Sequence, residues 1–359
     1  MEDYNKIKLT SSFSRFINFP ISIKTRIGFI LKRRTLLLLF FLINTLCWSQ
    51  DLDKTDSVQT TNLIDSLLID HDLRNWSVRL FGNVKGQGFK LSNDDASLTY
   101  IPNNLFGVGI GVATRKLILD IAFNLKDKST ENTDRFDLQG GFIFDKNVID
   151  FYFQIYDGFN IENSLNSSSV FRDDIKSIDG GIDYLYLFNA GEYSQNLLRS
   201  GLKGQKQNIF SFGVGGFLVY NQISADTSIV PQEFISDFNE QARITNMTNY
   251  GIGAMGGLAG LFKLPSNFYV GVGAKAGIAL TIKNAETETG SYNPNNPVLY
   301  KLNGSILFGY LWNRFYTNIS FRASTHASSL GFENNGAFAL LNGKLVLGYR
   351  IKGNKKSFN

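Results

Sequence analysis

The feature that most constrains the fold is a strict alternation of apolar and polar side chains around residues 107–126. Every second position there is apolar, at Leu117, Leu119, Ile121, Phe123 and Leu125. The intervening positions include Asp120, Asn124 and Lys126. A period of two predicts a β-strand with one apolar and one polar face. In a water-soluble sheet the apolar face is buried, whereas in a membrane barrel it faces lipid and the polar face lines the interior.

The N-terminus predicts export. Residues 1–35 are basic, and the apolar run LLLLFFLINTLCWSQ follows at residues 36–50. A charged region followed by a short apolar region is typical of a cleaved signal peptide, here residues 1–49 with a long basic first part. The run is shorter than the roughly 20 residues that a transmembrane helix needs. We therefore expect export through the inner membrane.

Removal of this leader changes the charge of the chain. Residues 1–49 hold eight Lys and Arg and two Asp and Glu, a net charge of +6, whereas the whole chain carries +5. The mature chain then carries −1, so its composition gives no reason to expect nucleic acid as a partner. Cys47 lies in the leader after Leu46, where a lipoprotein signal has a small residue. A mature chain without cysteine has no disulfide and no thiolate chemistry.

The mature chain contains twelve alternating segments rich in Phe, Tyr and Gly. They lie near residues 76–90, 95–114, 116–126, 133–144, 147–158, 177–189, 206–223, 245–263, 266–284, 297–312, 314–325 and 336–352. We predict an all-β transmembrane antiparallel barrel of about twelve strands at residues 75–352, followed by a basic tail at 353–359. An even number of strands places both termini on the periplasmic side.

The connections between these segments favour the membrane barrel over a soluble β-sandwich. Short turns near residue 115 and at 145–147, 264–266 and 312–313 alternate with long polar stretches at 159–176, 224–244, 285–296 and 326–335. Membrane barrels have tight periplasmic turns and long outer loops. Residues 190–205 break this rule, because they fall on the short-turn side and are long.

Three further patterns refine the barrel. Several segments exceed the roughly 9–11 residues that cross a bilayer, so the barrel should project beyond the membrane on one side. Pro102 should break or bulge the second segment. The last segment, GKLVLGYRI at 343–351, is similar to the C-terminal signal that the barrel-assembly machinery recognises during insertion.

The order of several short motifs resembles an uncharacterised domain family of predicted outer-membrane β-barrels from Bacteroidota. The motifs are NWSVRLFGN at 75–83, SLTYIPNN at 97–104 followed by GVGIG, DTSIVP at 226–231 and, more loosely, RSGLKG at 199–204. The resemblance covers about residues 70–352. It implies an outer-membrane barrel and no activity.

With the apolar faces outward, charged residues of opposite sign gather on opposite walls of the interior. The candidates for lumen charges are Asp120, Asp137, Asp150 and Asp183 on one wall, and Arg79, Lys275, Lys301, Arg322, Lys344 and Arg350 on the other. Such walls could line a narrow channel and select its permeants. They could equally form a network of salt bridges that closes a barrel with a narrow interior.

Aromatic residues near the segment ends predict two girdles at the membrane surfaces. The candidates are Trp76, Tyr184, Tyr220, Tyr250, Trp312 and Tyr349. The periplasmic segment at residues 50–74 contains apolar residues at helical spacing within 58–70. It is either a short helix that plugs the periplasmic mouth or docks a partner, or a linker with a frayed turn.

The sequence offers little for catalysis. The mature chain has two histidines, His71 and His326, and Ser324 lies two residues before the latter. No Gly-x-Ser-x-Gly motif surrounds them, no cluster has metal-ligand spacing, and no helix follows the Gly-x-Gly patterns. We expect no enzyme, no metal and no cofactor.

Our leading hypothesis is an integral outer-membrane barrel that forms a narrow passive channel for small polar solutes. The alternative is a closed structural or partner-docking barrel of an envelope or secretion assembly. A third interpretation is a membrane-embedded hydrolase that uses Ser324 and His326. The expected partners are outer-membrane lipid, the barrel-assembly machinery and an envelope protein that the sequence does not identify, with no nucleic acid.

Overall fold

The computed structural model describes residues 75–114, 117–125, 131–144, 146–165, 169–188 and 208–352. The predictions for the signal peptide, for the N-terminal segment at 50–74, for the connection at 190–205 and for the basic tail at 353–359 lie outside these residues. Cys47 and His71 lie outside them as well.

The segments in which apolar and polar residues alternate form β-strands in the described part of the chain. The strands are β1 (Trp76–Ser92), β2 (Ser97–Ile101), β3 (Phe106–Thr114), β4 (Leu117–Asn124), β5 (Asp134–Phe144), β6 (Asn147–Asn163), β7 (Ser169–Leu187), β8 (Ile209–Ser224), β9 (Ile244–Lys263), β10 (Phe268–Thr287), β11 (Gly290–Tyr292), β12 (Val298–Trp312), β13 (Phe315–Gly331) and β14 (Asn334–Ile351). Helical structure in the described residues is limited to three 3₁₀ turns, Gln232–Asp237, Glu240–Ala242 and Pro265–Asn267. None of the described helical segments is long and apolar enough to cross a membrane.

Twelve of these strands form a closed antiparallel ring. The order is β1, β3, β4, β5, β6, β7, β8, β9, β10, β12, β13 and β14, and β14 pairs with β1 again. The predicted all-β barrel of about twelve antiparallel strands is therefore confirmed, and β2 and β11 are additional short strands. Trp76 pairs with Ile351. We call the end of the barrel where these two residues lie the terminal end, and the opposite end the far end.

The barrel is built differently at its far end. Strands β3, β4 and β5 have 9, 8 and 11 residues, whereas β1 and β6 have 17 each. The short strand β2 lies beyond the three short strands and pairs with both longer ones, through Tyr100 with Phe89 of β1 and with Ile161 of β6. One strand thus takes the place of three, and the ring narrows towards the far end.

The outer face carries an apolar belt next to the terminal end. On β10 the outward side chains Ile278, Leu280 and Ile282 are 51%, 66% and 58% exposed. The next outward positions of the same strand, Asn284 and Glu286, are polar and exposed. Long exposed apolar belts are typical of membrane barrels, where they contact lipid. The polar ends of the long strands form an extension that projects beyond the belt, as the strand lengths predicted.

Two stretches that we expected to be long loops are mostly strand. β6 continues to Asn163 and β7 begins at Ser169, so most of 159–176 is paired. β13 and β14 leave only residues 332–333 between them. The prediction was wrong because strand positions beyond the belt face water on the outside and therefore have the polar composition of loops. The break predicted at Pro102 is confirmed, since β2 ends at Ile101.

A β-bulge in β6 adapts this strand to the far end. Gly158 has a φ of +86°, and the register of β6 with β7 shifts between Asp157 and Phe159. A bulge adds one residue and changes which side chains point inward. Tyr156 before the bulge and Phe159 and Ile161 after it therefore all point into the barrel, where they are buried.

Candidate functional site

The barrel interior has a charged layer and an apolar layer, and β1 contributes to both. Its inward side chains run from Arg79 and Lys85, near the terminal end and in mid-barrel, to Phe89 and Leu91 at the far end. All four side chains are buried. We call the charged zone the ion-pair layer.

Asp120 of β4 accepts two cationic partners from neighbouring strands. Arg79 Nη2 lies 2.9 Å from Asp120 Oδ2, and Lys344 Nζ lies 3.0 Å from the same oxygen. The ammonium group of Lys344 also lies 4.1 Å from the ring centroid of Phe81. This cluster joins β4 to β1 and β14.

Asp137 of β5 forms a second cluster. Lys85 of β1 donates a short hydrogen bond to Asp137. Arg135, on the same strand as Asp137, donates to the carbonyl oxygens of Lys85 and Leu105 at 2.8 and 3.1 Å. Asp137 was predicted as a lumen charge, whereas Lys85 and Arg135 were not, although both have inward parity on their strands.

A third cluster crosses the interior. Lys301 Nζ of β12 lies 2.5 Å from Asp183 Oδ1 of β7. Lys275 Nζ of β10 lies 2.8 Å from Asp150 Oδ2 and 3.6 Å from Asp183 Oδ2. The bonded residues are 118 and 125 positions apart in the chain. These ion pairs connect strands that do not pair with each other in the ring.

The structure thus places the predicted lumen charges in the interior and joins eight of them in ion pairs. The other two are Arg350, which is 8% exposed, and Arg322, whose side chain borders the internal cavity described below. Taking charges out of water is costly unless they are paired. The network of salt bridges that we considered as an alternative to an open passage is present.

Glycines of β3 make room for this layer. A Cβ added at Gly109 would overlap the ring of Phe81, and one added at Gly111 would overlap the carboxylate of Asp120. Both glycines belong to the GVGIG motif, which therefore forms a smooth inner wall against which large side chains pack.

An internal cavity of about 90 Å³ lies beside the third cluster. It extends from Asp179 and His326 in mid-barrel to Val148 and Leu187 near the terminal end. By the usual criterion of 10–15 Å³ for one water, about six or more waters fit in it.

Ser324 and His326 both point into the interior next to this cavity. Ser324 Oγ donates to Asn303 Oδ1 at 2.5 Å. Asn221 Nδ2 donates to Asp179 Oδ1 at 2.7 Å and lies 2.8 Å from His326 Nε2. Each of the two side chains is thus engaged with an asparagine. No group of three or more His, Cys, Asp and Glu in the described residues could hold a metal ion.

The apolar layer fills the far end, and a connection between strands supplies part of it. Residues 225–243 join β8 to β9 and fold into the barrel mouth. We call them the plug. Its buried side chains are Ile229, Val230, Phe234, Phe238 and Ala242. They pack against the wall residues of one continuous cluster that includes Phe89, Leu98, Tyr100, Tyr156, Phe159, Ile161 and Phe338.

Polar contacts hold the plug to the wall. Tyr100 donates its hydroxyl to the Ile229 carbonyl at 3.0 Å, and Tyr292 donates to the Gln241 carbonyl at 2.8 Å. Asn93 Nδ2 donates to the Asp237 carbonyl at 2.9 Å. These bonds come from β1–β2 and β11, so the plug is attached on several sides.

Arg172 and Asp174 of β7 lie beyond the apolar belt and also attach the plug to the wall. We call this pair the latch. Arg172 donates to the Ser228 carbonyl at 3.1 Å and to Thr227 Oγ1 at 2.9 Å. Its guanidinium also donates two hydrogen bonds of 2.6 Å to the Asp174 carboxylate. These hydrogen bonds hold the pKa of Asp174 below its usual value.

Residues 224–244 were predicted to form a long polar loop, and the plug was not predicted. The signal was present, since Ile229, Val230, Phe234 and Phe238 are large apolar residues within an otherwise polar connection. Loops that carry such residues often pack inward as compact structures.

The aromatic girdle candidates lie on the outer face. Trp76, Tyr184, Trp312 and Tyr349 lie close to the terminal end. Tyr220 and Tyr250 lie towards the far end, with ring centroids 4.8 Å apart. The six residues therefore border the apolar belt at both of its edges.

Several solved structures of membrane barrels align with this chain, each with low structural and sequence similarity to it. The outer-membrane protease OmpT from Escherichia coli aligns with a TM-score of 0.39 at 10% identity, over 78% of this chain and 97% of that one. The translocator domain of the autotransporter NalP from Neisseria meningitidis has a TM-score of 0.34 at 12% identity, over 89% and 99% of the chains. The toluene transporter TodX from P. putida has a TM-score of 0.25 at 8% identity, over 78% and 91%.

Sequence comparison identifies the family. No curated protein matches the chain significantly. A family model described as a domain of unknown function, DUF4421, matches residues 63–350. This range contains all the described strands except the last residue of β14. The chain belongs to the DUF4421 family, and its member described here is a closed antiparallel β-barrel with a charged and plugged interior.

Proposed function

We propose that the protein is an outer-membrane β-barrel that is closed at rest and serves as a structural or partner-docking component of the cell envelope. In this proposal the signal peptide exports the chain and the barrel-assembly machinery inserts it. Both termini face the periplasm, and the far-end extension and the plug face the cell exterior.

The observation that carries this proposal is the plug. Five of its side chains are buried in the cluster that fills the far mouth, and burial of each large apolar side chain contributes about 1.5–3 kcal/mol. The ion-pair layer obstructs the interior a second time, below the plug. Two successive obstructions favour a barrel that presents a fixed outer surface over one that conducts continuously.

A second candidate function is a gated narrow channel for small polar solutes. The internal cavity and the charges of both signs around it support this candidate, because such walls select polar permeants. Passage would require displacement of the plug and separation of ion pairs such as Lys301–Asp183.

We do not propose an enzymatic role for Ser324 and His326. A nucleophilic serine needs a base within hydrogen-bond reach. The Ser324 hydroxyl donates to Asn303, and Asn221 occupies the Nε2 side of His326.

A flux assay separates a barrel that stays closed from a channel whose gate opens spontaneously. Purified protein, shown to be folded by its heat-modifiable migration, is reconstituted in liposomes loaded with glycine or glucose. A closed barrel gives the same efflux as protein-free liposomes. Faster efflux that changes with the lumen variants Asp120→Asn and Arg322→Gln would favour the channel instead.

A further inference from the structure

We propose that the internal cavity binds a small oxyanion through Arg322. The proposal goes beyond the closed-barrel function, because binding inside the barrel requires neither conduction nor a protein partner. It rests on the partners of the interior cations, on the balance of interior charge, and on the groups around Arg322.

Arg322 differs from four of the other predicted lumen cations, Arg79, Lys275, Lys301 and Lys344, because no described residue gives it an anionic partner. Lys275, Lys301 and Lys344 each lie within 3.0 Å of an aspartate oxygen. Within the described parts of the chain, no hydrogen bond or ion pair engages the Arg322 guanidinium. Arg322 also repels two further cations of the interior, Lys85 and Lys275. Among the described residues, its guanidinium is therefore left without a bound counter-charge.

The interior as a whole also has more basic than acidic side chains. Between the terminal end and the plug, nine basic side chains of the described strands point inward: Arg79, Lys85, Arg135, Lys275, Lys283, Lys301, Arg322, Lys344 and Arg350. Five acidic side chains point inward: Asp120, Asp137, Asp150, Asp179 and Asp183. An excess of four cations in a confined interior is unfavourable because the like charges repel each other, so bound anions would stabilise it.

The surroundings of Arg322 fit an oxyanion. Its neighbours across the strands are Ser305 of β12 and Asn342 of β14, and Ser324 is the next inward residue of β13. These groups can donate hydrogen bonds and carry no charge. The three carboxylates that line the same cavity, Asp150, Asp179 and Asp183, already accept hydrogen bonds from Lys275, Asn221 and Lys301, respectively. The planar guanidinium binds two oxygens of a phosphate or carboxylate at once.

The size of the cavity limits the ligand. About 90 Å³ accommodates several waters, or a small oxyanion with part of its hydration shell. Inorganic phosphate is therefore a suitable probe, and bulky organic phosphates should be excluded.

Phosphate binding by the full mature protein in detergent tests the proposal, using calorimetric titration and the thermal unfolding midpoint. We expect saturable binding with a midpoint that rises with phosphate. Arg322→Gln should weaken binding about tenfold or more, because a hydrogen bond to a charged group is lost. Arg322→Lys should retain part of the affinity. The matched control Lys263→Gln, at the exposed end of β9, should bind as the wild type does.

Equal phosphate binding by the wild type and folded Arg322→Gln would overturn the proposal, and so would absence of binding to the wild type. Should Arg322→Gln fail to fold, folded Arg322→Lys takes its place, and unchanged affinity there counts against the site. Phosphate binding in detergent does not depend on solute efflux from liposomes. The oxyanion site and the closed-barrel function can therefore be disproved independently.

Discussion

Lys301 of β12 places its ammonium nitrogen 2.5 Å from the carboxylate of Asp183 of β7, across the interior of the barrel. The two side chains are 2% and 7% exposed. Five strands of the twelve-membered ring, counted with both ends, lead from β7 to β12. A bond between side chains so far apart on the ring means that this ion pair spans the interior, with the internal cavity beside it.

Removing one partner of this pair should destabilise the barrel strongly. Asp183→Asn leaves a buried ammonium group without its closest carboxylate, and we expect a loss of about 3–5 kcal/mol in the free energy of unfolding. Urea unfolding in lipid, followed by tryptophan fluorescence, measures this loss. The control Asp94→Asn changes an exposed turn carboxylate and should stay within about 0.5 kcal/mol of the wild type.

The double variant Asp183→Asn/Lys301→Met completes a mutant cycle. We expect it to be more stable than Asp183→Asn, because no unpaired ammonium remains at this position. Additive losses in the double variant would show that the two groups do not interact.

Replacing a glycine of β3 by a larger residue should destabilise the barrel. Gly109→Ala introduces a Cβ that overlaps the ring of Phe81, and overpacking of this kind costs about 1–3 kcal/mol. Gly304→Ala is the matched control, because a Cβ at that outward position meets nothing within 4 Å. Unfolding free energies of the two variants should therefore differ, and equal values would contradict the packing described for β3.

The position of the apolar belt can be tested on one face of one strand. Leu280→Arg places a charge in the belt and should cost up to about 2–4 kcal/mol, depending on depth. Asn284→Arg lies four residues further along the same face of β10, beyond the belt, and should cost little. Similar losses for both variants in lipid unfolding experiments would place the membrane elsewhere.

The latch on the plug should open in acid. Because Arg172 lowers the pKa of Asp174, the ionised carboxylate stabilises the folded latch above the usual aspartate pKa of about 4. That contribution is lost as the pH falls through the lowered pKa. A spin label at Gln232→Cys, in a protein prepared without Cys47, the only cysteine of the sequence, reports the mobility of the plug.

We expect the label to become more mobile below about pH 4 in the otherwise unchanged protein. With Asp174→Asn it should already be mobile at pH 7. An Asp174→Asn variant whose label remains as immobile at pH 7 as the parent's would show that this carboxylate does not secure the plug.

The ring of twelve strands was predictable from the sequence because an apolar outer face and a polar inner face impose a strict period of two on each strand. The inward positions of residues such as Asp120 and Lys344 followed from the same parity. Their pairing did not follow, because strand tilt and stagger decide which inward side chains meet across the barrel.

The far end was less predictable for a physical reason. Beyond the belt the outer face contacts water, so the alternation of β6 and β13 weakens and their ends resemble loops. The bulge at Gly158 also reverses the parity of Phe159 and Ile161. The plug lies in a connection, where no period relates apolar residues such as Phe234 to a wall.

Single-channel conductance of the folded mature protein in a planar bilayer tests the central claim, that the barrel is closed at rest, most directly. The account predicts no discrete openings, because the plug and the ion-pair layer obstruct the interior one after the other. Frequent openings whose ion selectivity shifts in Asp120→Asn and Arg322→Gln would contradict it and would identify an open channel instead.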